Sequence, residues 1–475
     1  MTAARAEVVV VGGGIAGLAA AFRLRELGRE VLLLEASPRL GGVVRTETVD
    51  GFVIEAGPDA LLAQKPEGLA LCDALGLAGR VIPTSPRAHT VLVLHRGRLH
   101  PLPEGMMLAV PTRVLPFLRS GLFSWPGKLR MALDLALPGR PPDGDESIAS
   151  FLLRRFGAEA VERLGEPLMA GIHAGDPERL SMRATFPRLV ELERRHGSLI
   201  RALWASRARG PAAAGRPAFY SLTGGLGELV HALGRRLPPS SIRLRSRVAA
   251  LARREGGLAV TLADGTAITA QAVIVAVPAH AAAPLVSPLS AEAGRLLQTI
   301  PFASSATVAL GYRREDVAHP LDAHGLLVPR GEGLRSSGCT FASAKFAGRA
   351  PEGRVLLRAF LGGARDPDLL RLDDVALAAL VRRELGPLLG IRGAPVVERV
   401  YRWPRATPQM QVGHLKRMTR LDSVVGDLPG LFLTGAGLHG TGLPDSIADG
   451  QRAALAADAH VTARSIPARR SGCVA

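Results

Sequence analysis

The chain has 475 residues, 59 Lys+Arg against 42 Asp+Glu for a formal charge of +17, 47% hydrophobic residues and 4% aromatic. At about 100–200 residues per domain this apolar content fills two or three cores, which excludes a disordered polyelectrolyte and predicts a multidomain globular protein. Cys72, Cys339 and Cys473 are widely spaced and odd in number, so they form neither a disulfide framework nor a CxxC metal site; no metal is predicted, and a reducing compartment is.

The first apolar run, residues 8–21, falls at the lower edge of signal-segment length. It is broken by Gly12, Gly13, Gly14 and Gly17, with no basic stretch before it and no cleavage site after it, so it reads as strand and turn. Val8-Val9-Val10-Val11 predicts a buried parallel strand, Gly12-Gly13-Gly14-Ile15-Ala16-Gly17 follows at once, and the pattern 18–27 predicts a helix ending at Gly28. Gly12 permits the tight turn, Gly14 lets backbone approach a pyrophosphate and Gly17 lets helix and strand pack closely, while the helix N-terminus offers N–H groups and a positive dipole. The second predicted strand, Val31-Leu32-Leu33-Leu34, ends in Glu35, about 20 residues past Gly14, where a carboxylate meets the ribose hydroxyls of an adenosine. The run then continues as Glu35-Ala36-Ser37-Pro38-Arg39-Leu40-Gly41-Gly42, a stretch able to follow a ligand longer than a nicotinamide dinucleotide, with Arg39 within reach of a phosphate. Here the chain resembles the FAD-dependent amine oxidase superfamily, in which a later glycine-rich segment closes over the isoalloxazine ring.

Residues 105–138 mix Met106, Met107, Leu115, Phe117, Phe123 and Trp125 with Arg113, Arg119, Lys128 and Arg130. This basic amphipathic character suits either an anionic membrane face or the mouth of a substrate chamber. Loop-rich punctuation at 138–144 and 207–217 brackets a mostly helical insert, with helices predicted over 146–156, 158–164 and toward Trp204. Residues 240–252 and 257–269 predict short strands with a turn at Asp264-Gly265, and 272–278 a buried strand that rejoins the parallel sheet. Near the end, Leu431-Phe432-Leu433-Thr434-Gly435 opens into Gly437, Gly440 and Gly442, and Leu443-Pro444-Asp445-Ser446-Ile447 starts a helix through Gly450 toward Ala457. Pro444 and its glycines are read as aiming free N–H groups at the electron-rich edge of a flavin.

The resemblance narrows to the bacterial oxygen-dependent protoporphyrinogen/coproporphyrinogen oxidase family of haem biosynthesis. It is carried by Glu55-Ala56-Gly57-Pro58-Asp59, Leu99-His100-Pro101-Leu102-Pro103, Ser120-Gly121-Leu122-Phe123-Ser124, the run Glu166-Pro167-Leu168-Met169-Ala170-Gly171-Ile172-His173-Ala174-Gly175-Asp176, Thr185-Phe186-Pro187, and Trp403 followed by Pro408-Gln409. The resemblance implies an α/β fold of amine oxidase type: a discontinuous Rossmann-like FAD-binding domain from 1–85, 221–290 and 396–462, a helical substrate part at 86–220, a substrate sheet at 291–395 and a tail at 463–475. It further implies cofactor contacts from Ala36, Arg45, Gly57, Pro58, Asp59, Val248, Trp403, Leu443 and Ile447, and substrate contacts from Lys65, Gly171, Ala174, Gly175, Leu327 and Phe346. His173 stands as a weak catalytic candidate and is read chiefly as a spacer, because the bound flavin carries the chemistry.

The activity so implied is oxidation of coproporphyrinogen III or protoporphyrinogen IX, with hydride transfer to flavin N5 and oxygen returning the flavin to FAD as hydrogen peroxide forms. The substrate's chamber needs aliphatic walls, small residues beside the flavin and cations at the rim for the propionates. No cysteine lies near the C-terminal glycine segment, so FAD is expected to be held without a covalent bond. An amine oxidase, a carotenoid desaturase, and a non-catalytic flavin and porphyrin scaffold serving a ferrochelatase stay open as alternatives. Only four of the 59 cations are lysine and the charge is dispersed, so no nucleic-acid partner is predicted. No run reaches the ~18–20 apolar residues of a bilayer span, which makes the expected location cytoplasmic, or peripheral at the inner membrane face.

Overall fold

The computed structural model describes residues 4–88, 90–139, 144–208 and 217–465, so the predicted tail beyond 465, with Cys473, lies outside the described residues, as do parts of the loops at 138–144 and 207–217. A parallel sheet runs in the order Ile242–Arg243, Val31–Leu34, Ala4–Val11, Ala267–Val275, and Leu431–Leu433 extends it beside Val273, Ile274 and Val275. Val8 and Val10 point into one apolar core and Val9 and Val11 into another, which is why four successive β-branched residues fit a strand covered on both faces. Register pairs Val11 with both Leu34 and Val275, and Val275 with Leu433. The glycine turn, Glu35, the 276–278 turn and Gly435 therefore leave the sheet at the same carboxyl edge, where open α/β sheets bind ligands.

Two predicted elements differ in detail. Ala267–Val275 is one strand: its first half pairs antiparallel with Gly257–Leu262 while its whole length pairs parallel with Ala4–Val11, so the break expected at 269–272 does not occur. The strand expected over 240–252 is split into Ile242–Arg243 and Val248–Arg254, because Arg245 takes φ +52° and turns the chain from the parallel edge to the antiparallel one.

The second sheet has the order Val397–Pro408, Phe302–Arg313, Arg354–Gly362, Gly338–Phe341, Gly325–Leu327, Leu92–His95, Arg98–Pro101. It crosses the boundaries drawn at 291 and 395, since both its edges come from segments assigned elsewhere. The helix Asp374–Leu389 covers it through Leu377, Val381 and Leu385. A third core, with Phe117, Phe123, Phe151 and Phe156, belongs to the helical insert. There the helix expected over 158–164 widens after Ala160 into a π-turn, Val161–Gly165, and continues as Glu166–His173. Arg155 and Asp134, both wholly buried, pair across the insert, and Asp134 also accepts from Ser198 Oγ (2.7 Å) and Ile200 N (2.9 Å). Among the described residues no helix is long and apolar enough to cross a membrane, and no group of His, Cys, Asp and Glu is placed to hold a metal.

The two ends of the chain meet through helices Ile15–Glu26 and Leu443–Ser465. Gly450 lies so close to Ala16 that an added Cβ would stand 2.2 Å from the Ala16 carbonyl oxygen.

Candidate active site

The turn after the first strand is compressed on its inner side and open on its outer side. Gly12 has φ +109° and a Cβ there would sit 3.0 Å from Ala276 O, while one at Gly17 would sit 2.0 Å from Gly12 O. A Cβ at Gly14 would meet nothing within 4 Å. Gly14 is the N-cap of the helix beginning Ile15-Ala16, which has neither a side-chain cap nor an acid in its first turn. Its leading N–H groups are thus left for an anion. Glu35 accepts from Gly13 N (2.6 Å) and Ser37 N (2.7 Å), joining the glycine turn to the segment containing Ala36. Ser246 N donates to Glu35 O (2.8 Å), which brings the start of Val248–Arg254 to the same end of the sheet. Gly41 N donates to Gly13 O (2.8 Å), and Gly42 lies over Gly14. An elongated cradle results, running from the open turn at Gly14 to the strand end at Glu35, whose shape and free backbone donors would suit an FAD-type dinucleotide.

Several of the predicted contact residues have partners within the protein. Arg39 donates to Leu40 O (3.1 Å), Val44 O (3.2 Å) and Gly42 O and so braces the 39–44 loop. Arg45 lies over the Tyr401 ring, 5.4 Å from its centre, and beside Glu47. Leu443 and Ile447 are buried in the core shared with helix Ile15–Glu26, and their side chains serve packing. The N-terminus of the last helix is not free: Asp445, in its first turn, accepts from Gly442 N (3.0 Å). Gly435 borders open space, its nearest added-Cβ contact being 3.9 Å away.

Glu55-Ala56-Gly57-Pro58-Asp59 is pressed onto this cradle, since a Cβ at Gly57 would stand 1.9 Å from Val43 O. Ala56 O accepts from Trp403 Nε1 (2.8 Å) and Thr307 Oγ1 (2.9 Å), and Gly57 O accepts from Arg358. Lys345 Nζ reaches Asp59 Oδ2 at 2.9 Å. Burial works to raise the Asp59 carboxyl, but Lys345 and Arg358 outweigh it and hold the group below its usual range.

Helix Glu166–His173 ends in a turn at Ala174 (φ +47°) packed against Gly363. A Cβ at Gly171 would come only to 3.5 Å of Leu327 Cδ2, which sets these two residues together as one wall, and the neighbouring Ile172 is 61% exposed. Gly175 is small for a different reason than expected: a Cβ there would strike Leu180 and Gln409. Phe346 does not offer a face to a tetrapyrrole; it is 1% exposed, with Lys345 Nζ and the Arg349 guanidinium 5.2 and 5.5 Å from its ring centre. Lys65 is not a free cation, because its ammonium lies 2.5 and 2.6 Å from the two Asp445 oxygens, although 44% of the side chain remains exposed. His173 Nδ1 is 3.5 Å from Thr441 Oγ1, and burial, then Lys65, push its pKa down to about 4, so it is neutral at pH 7. His439 goes the other way: hydrogen bonds to Asp422 and Asp449 raise it to about 9, and Asp449 in turn accepts from Thr434 Oγ1 and Gly435 N.

Sequence reading missed Asp445, Lys345, Arg349 and Arg358. The available signal was Lys345, one of the four lysines retained in an arginine-rich chain.

Residues 15–457 match the model of the flavin containing amine oxidoreductases. The coproporphyrinogen III oxidase of Bacillus subtilis is 36% identical, covering 95% of this chain and 98% of that protein, and that of Propionibacterium freudenreichii is 37% identical, covering 95% and 90%. The chain belongs to the flavin-containing amine oxidoreductase family. Within it, the chain stands with the coproporphyrinogen III and protoporphyrinogen oxidases: the chloroplastic protoporphyrinogen oxidase of Nicotiana tabacum is 32% identical over 93% of this chain and 83% of that one. A crystal structure from Exiguobacterium sp. 255-15, named provisionally as a protoporphyrinogen oxidase, superposes with a TM-score of 0.84 at 31% identity, covering 96% and 99% of the two chains. The family member described here is an FAD-dependent oxidoreductase.

Proposed function

We propose that the protein oxidises coproporphyrinogen III to coproporphyrin III in haem biosynthesis, with protoporphyrinogen IX as the second substrate of the same chamber. The observation that carries this reading is the 36–37% identity, over nearly the full length of both partners, to two coproporphyrinogen III oxidases. When bound, FAD would supply the hydride acceptor, with oxygen as the terminal electron acceptor and hydrogen peroxide as its product. The residues of the chain do the rest. The uncapped turn at Gly14 and the carboxylate of Glu35 hold the dinucleotide end. Gly171 and Leu327 give an aliphatic wall with room for a flat macrocycle, and Ile172 extends it. Lys65, held by Asp445 yet partly exposed, presents its remaining face to a propionate. Neutral His173 adds no charge near the ring. Coproporphyrinogen has two more carboxylates than protoporphyrinogen, so side-by-side steady-state rates test the preference. A higher kcat/KM for the tetrapropionate substrate is expected, and the reverse would reassign the protein to the protoporphyrinogen branch.

We further propose a cytoplasmic location, with product passed to a ferrochelatase and a peripheral contact with the inner face of the membrane. Trp125, Leu129 and Leu133 are 64%, 69% and 52% exposed at helical spacing on one face, and Lys128 ties the preceding helix to it by donating to Leu118 O (2.7 Å). Sedimentation with anionic vesicles, lost on W125S and L129S, supports this contact; no sedimentation of the unaltered protein would rule it out.

A further inference from the structure

The segment under the cradle is surrounded by more charge than a turn requires. Lys345, Arg349 and Arg358 oppose Glu55 and Asp59, one cation in excess, and Arg349, Arg358 and Glu55 are only 2%, 6% and 4% exposed. Glu228, the third carboxylate that acts on Arg349, is itself paired with Arg80 at 2.6 Å. Arg358 spends Nη2 on Gly57 O, while its Nε is buried without a hydrogen-bond partner. A buried donor left open is costly, which makes little sense if the residue served hydrogen bonding alone. Thr307 and Trp403 hold Ala56 O on the same side. In a trans peptide the carbonyl and the following N–H point in opposite directions, so Gly57 N–H is turned away from those side chains.

We propose that buried Arg358 and the part-buried pair Lys345 and Asp59 form a charge set behind the cofactor cradle that raises the reduction potential of the flavin, acting as positioning residues through segment 56–59. The proposal rests on the FAD-dependent reading above. A ring that accepts two electrons and one proton from the substrate gains one negative charge, and an excess cation in a low-dielectric interior favours that state.

The test is a midpoint-potential titration of FAD-loaded protein against reference dyes. Lys345→Met removes a cation and lowers the potential; Asp59→Asn removes an anion and raises it. Each shift corresponds to about a tenfold change in the reduction equilibrium, about 30 mV for a two-electron couple. Arg358→Lys keeps the charge and stays near the unaltered value. The double variant Asp59→Asn with Lys345→Met, which strands neither partner of that pair, returns to it even where a single variant folds poorly. Shifts of one sign in both single variants, no shift in flavin-replete protein, or a double variant displaced from the unaltered value would each overturn the proposal. Failure of the unaltered protein to bind FAD would instead strike the reading beneath it.

Discussion

Gly450→Ala puts a methyl group where the two ends of the chain touch. Its Cβ would lie 2.2 Å from Ala16 O and 3.0 Å from Ala16 C, all backbone on the other side, so no rotamer change relieves the overlap and the helices must part by more than about 1 Å. Overpacking of this kind costs about 1–3 kcal/mol, and the helical preference of Ala over Gly returns about 0.5–1 kcal/mol. The net expectation is destabilisation of about 1–2 kcal/mol, with weaker FAD binding because Ala16 sits in the first turn of the cradle helix. Gly426→Ala is the matched control: it ends the helix His414–Gly426 and an added Cβ meets nothing within 4 Å, so the same chemical change should be neutral or stabilise by up to about 1 kcal/mol. Thermal melting followed by circular dichroism, with FAD affinity by equilibrium dialysis, separates the two. If Gly450→Ala melts with Gly426→Ala and holds FAD as tightly, the helix contact is not what joins the ends.

His439 has its pKa raised to about 9 by hydrogen bonds to Asp422 and Asp449, which outweigh the lowering effect of burial. Its contribution to holding the Thr434-Gly435 turn is therefore full below the unfolded value near 6.5 and lost as pH rises through about 9. Melting temperature should fall across that window, and H439Q should flatten the fall; an unchanged slope in H439Q would assign the effect elsewhere. Asp134→Ala leaves buried Arg155 only Glu193, at 3.6 Å, as a carboxylate partner, and should cost about 3 kcal/mol in urea unfolding of that unit. A loss under about 1 kcal/mol would mean that the pair is not buried as described. Lys65→Met should raise KM for porphyrinogen several-fold with little change in kcat, whereas a fall in kcat at constant KM would move Lys65 from substrate binding to the chemistry.

How much could be read in advance depended on whether a residue acts through its own neighbours. Gly12 and Gly17 were legible because a tight turn and a close crossing admit no side chain, and Glu35 because a strand end fixes its place. The partners of Arg39 and Arg45 were not legible, since an arginine reaches several groups, here the local carbonyls and the Tyr401 ring. Phe346 was taken for a wall residue, but an aromatic residue beside Lys345 and Arg349 is equally at home beneath them. The pairs Lys65 with Asp445 and Lys345 with Asp59 lie 380 and 286 residues apart in sequence, beyond any local pattern. For the same reason the strand Leu92–His95 gave no sign that it would join a sheet built mainly from residues 302–408.

The central claim is that the ends of the chain enclose one FAD and that a porphyrinogen meets it against the Gly171 and Leu327 wall. Anaerobic mixing of the FAD-loaded protein with coproporphyrinogen III tests this most directly. Loss of the oxidised-flavin absorbance together with the rise of porphyrin fluorescence is the expected result. Flavin that stays oxidised with both coproporphyrinogen III and protoporphyrinogen IX would contradict it.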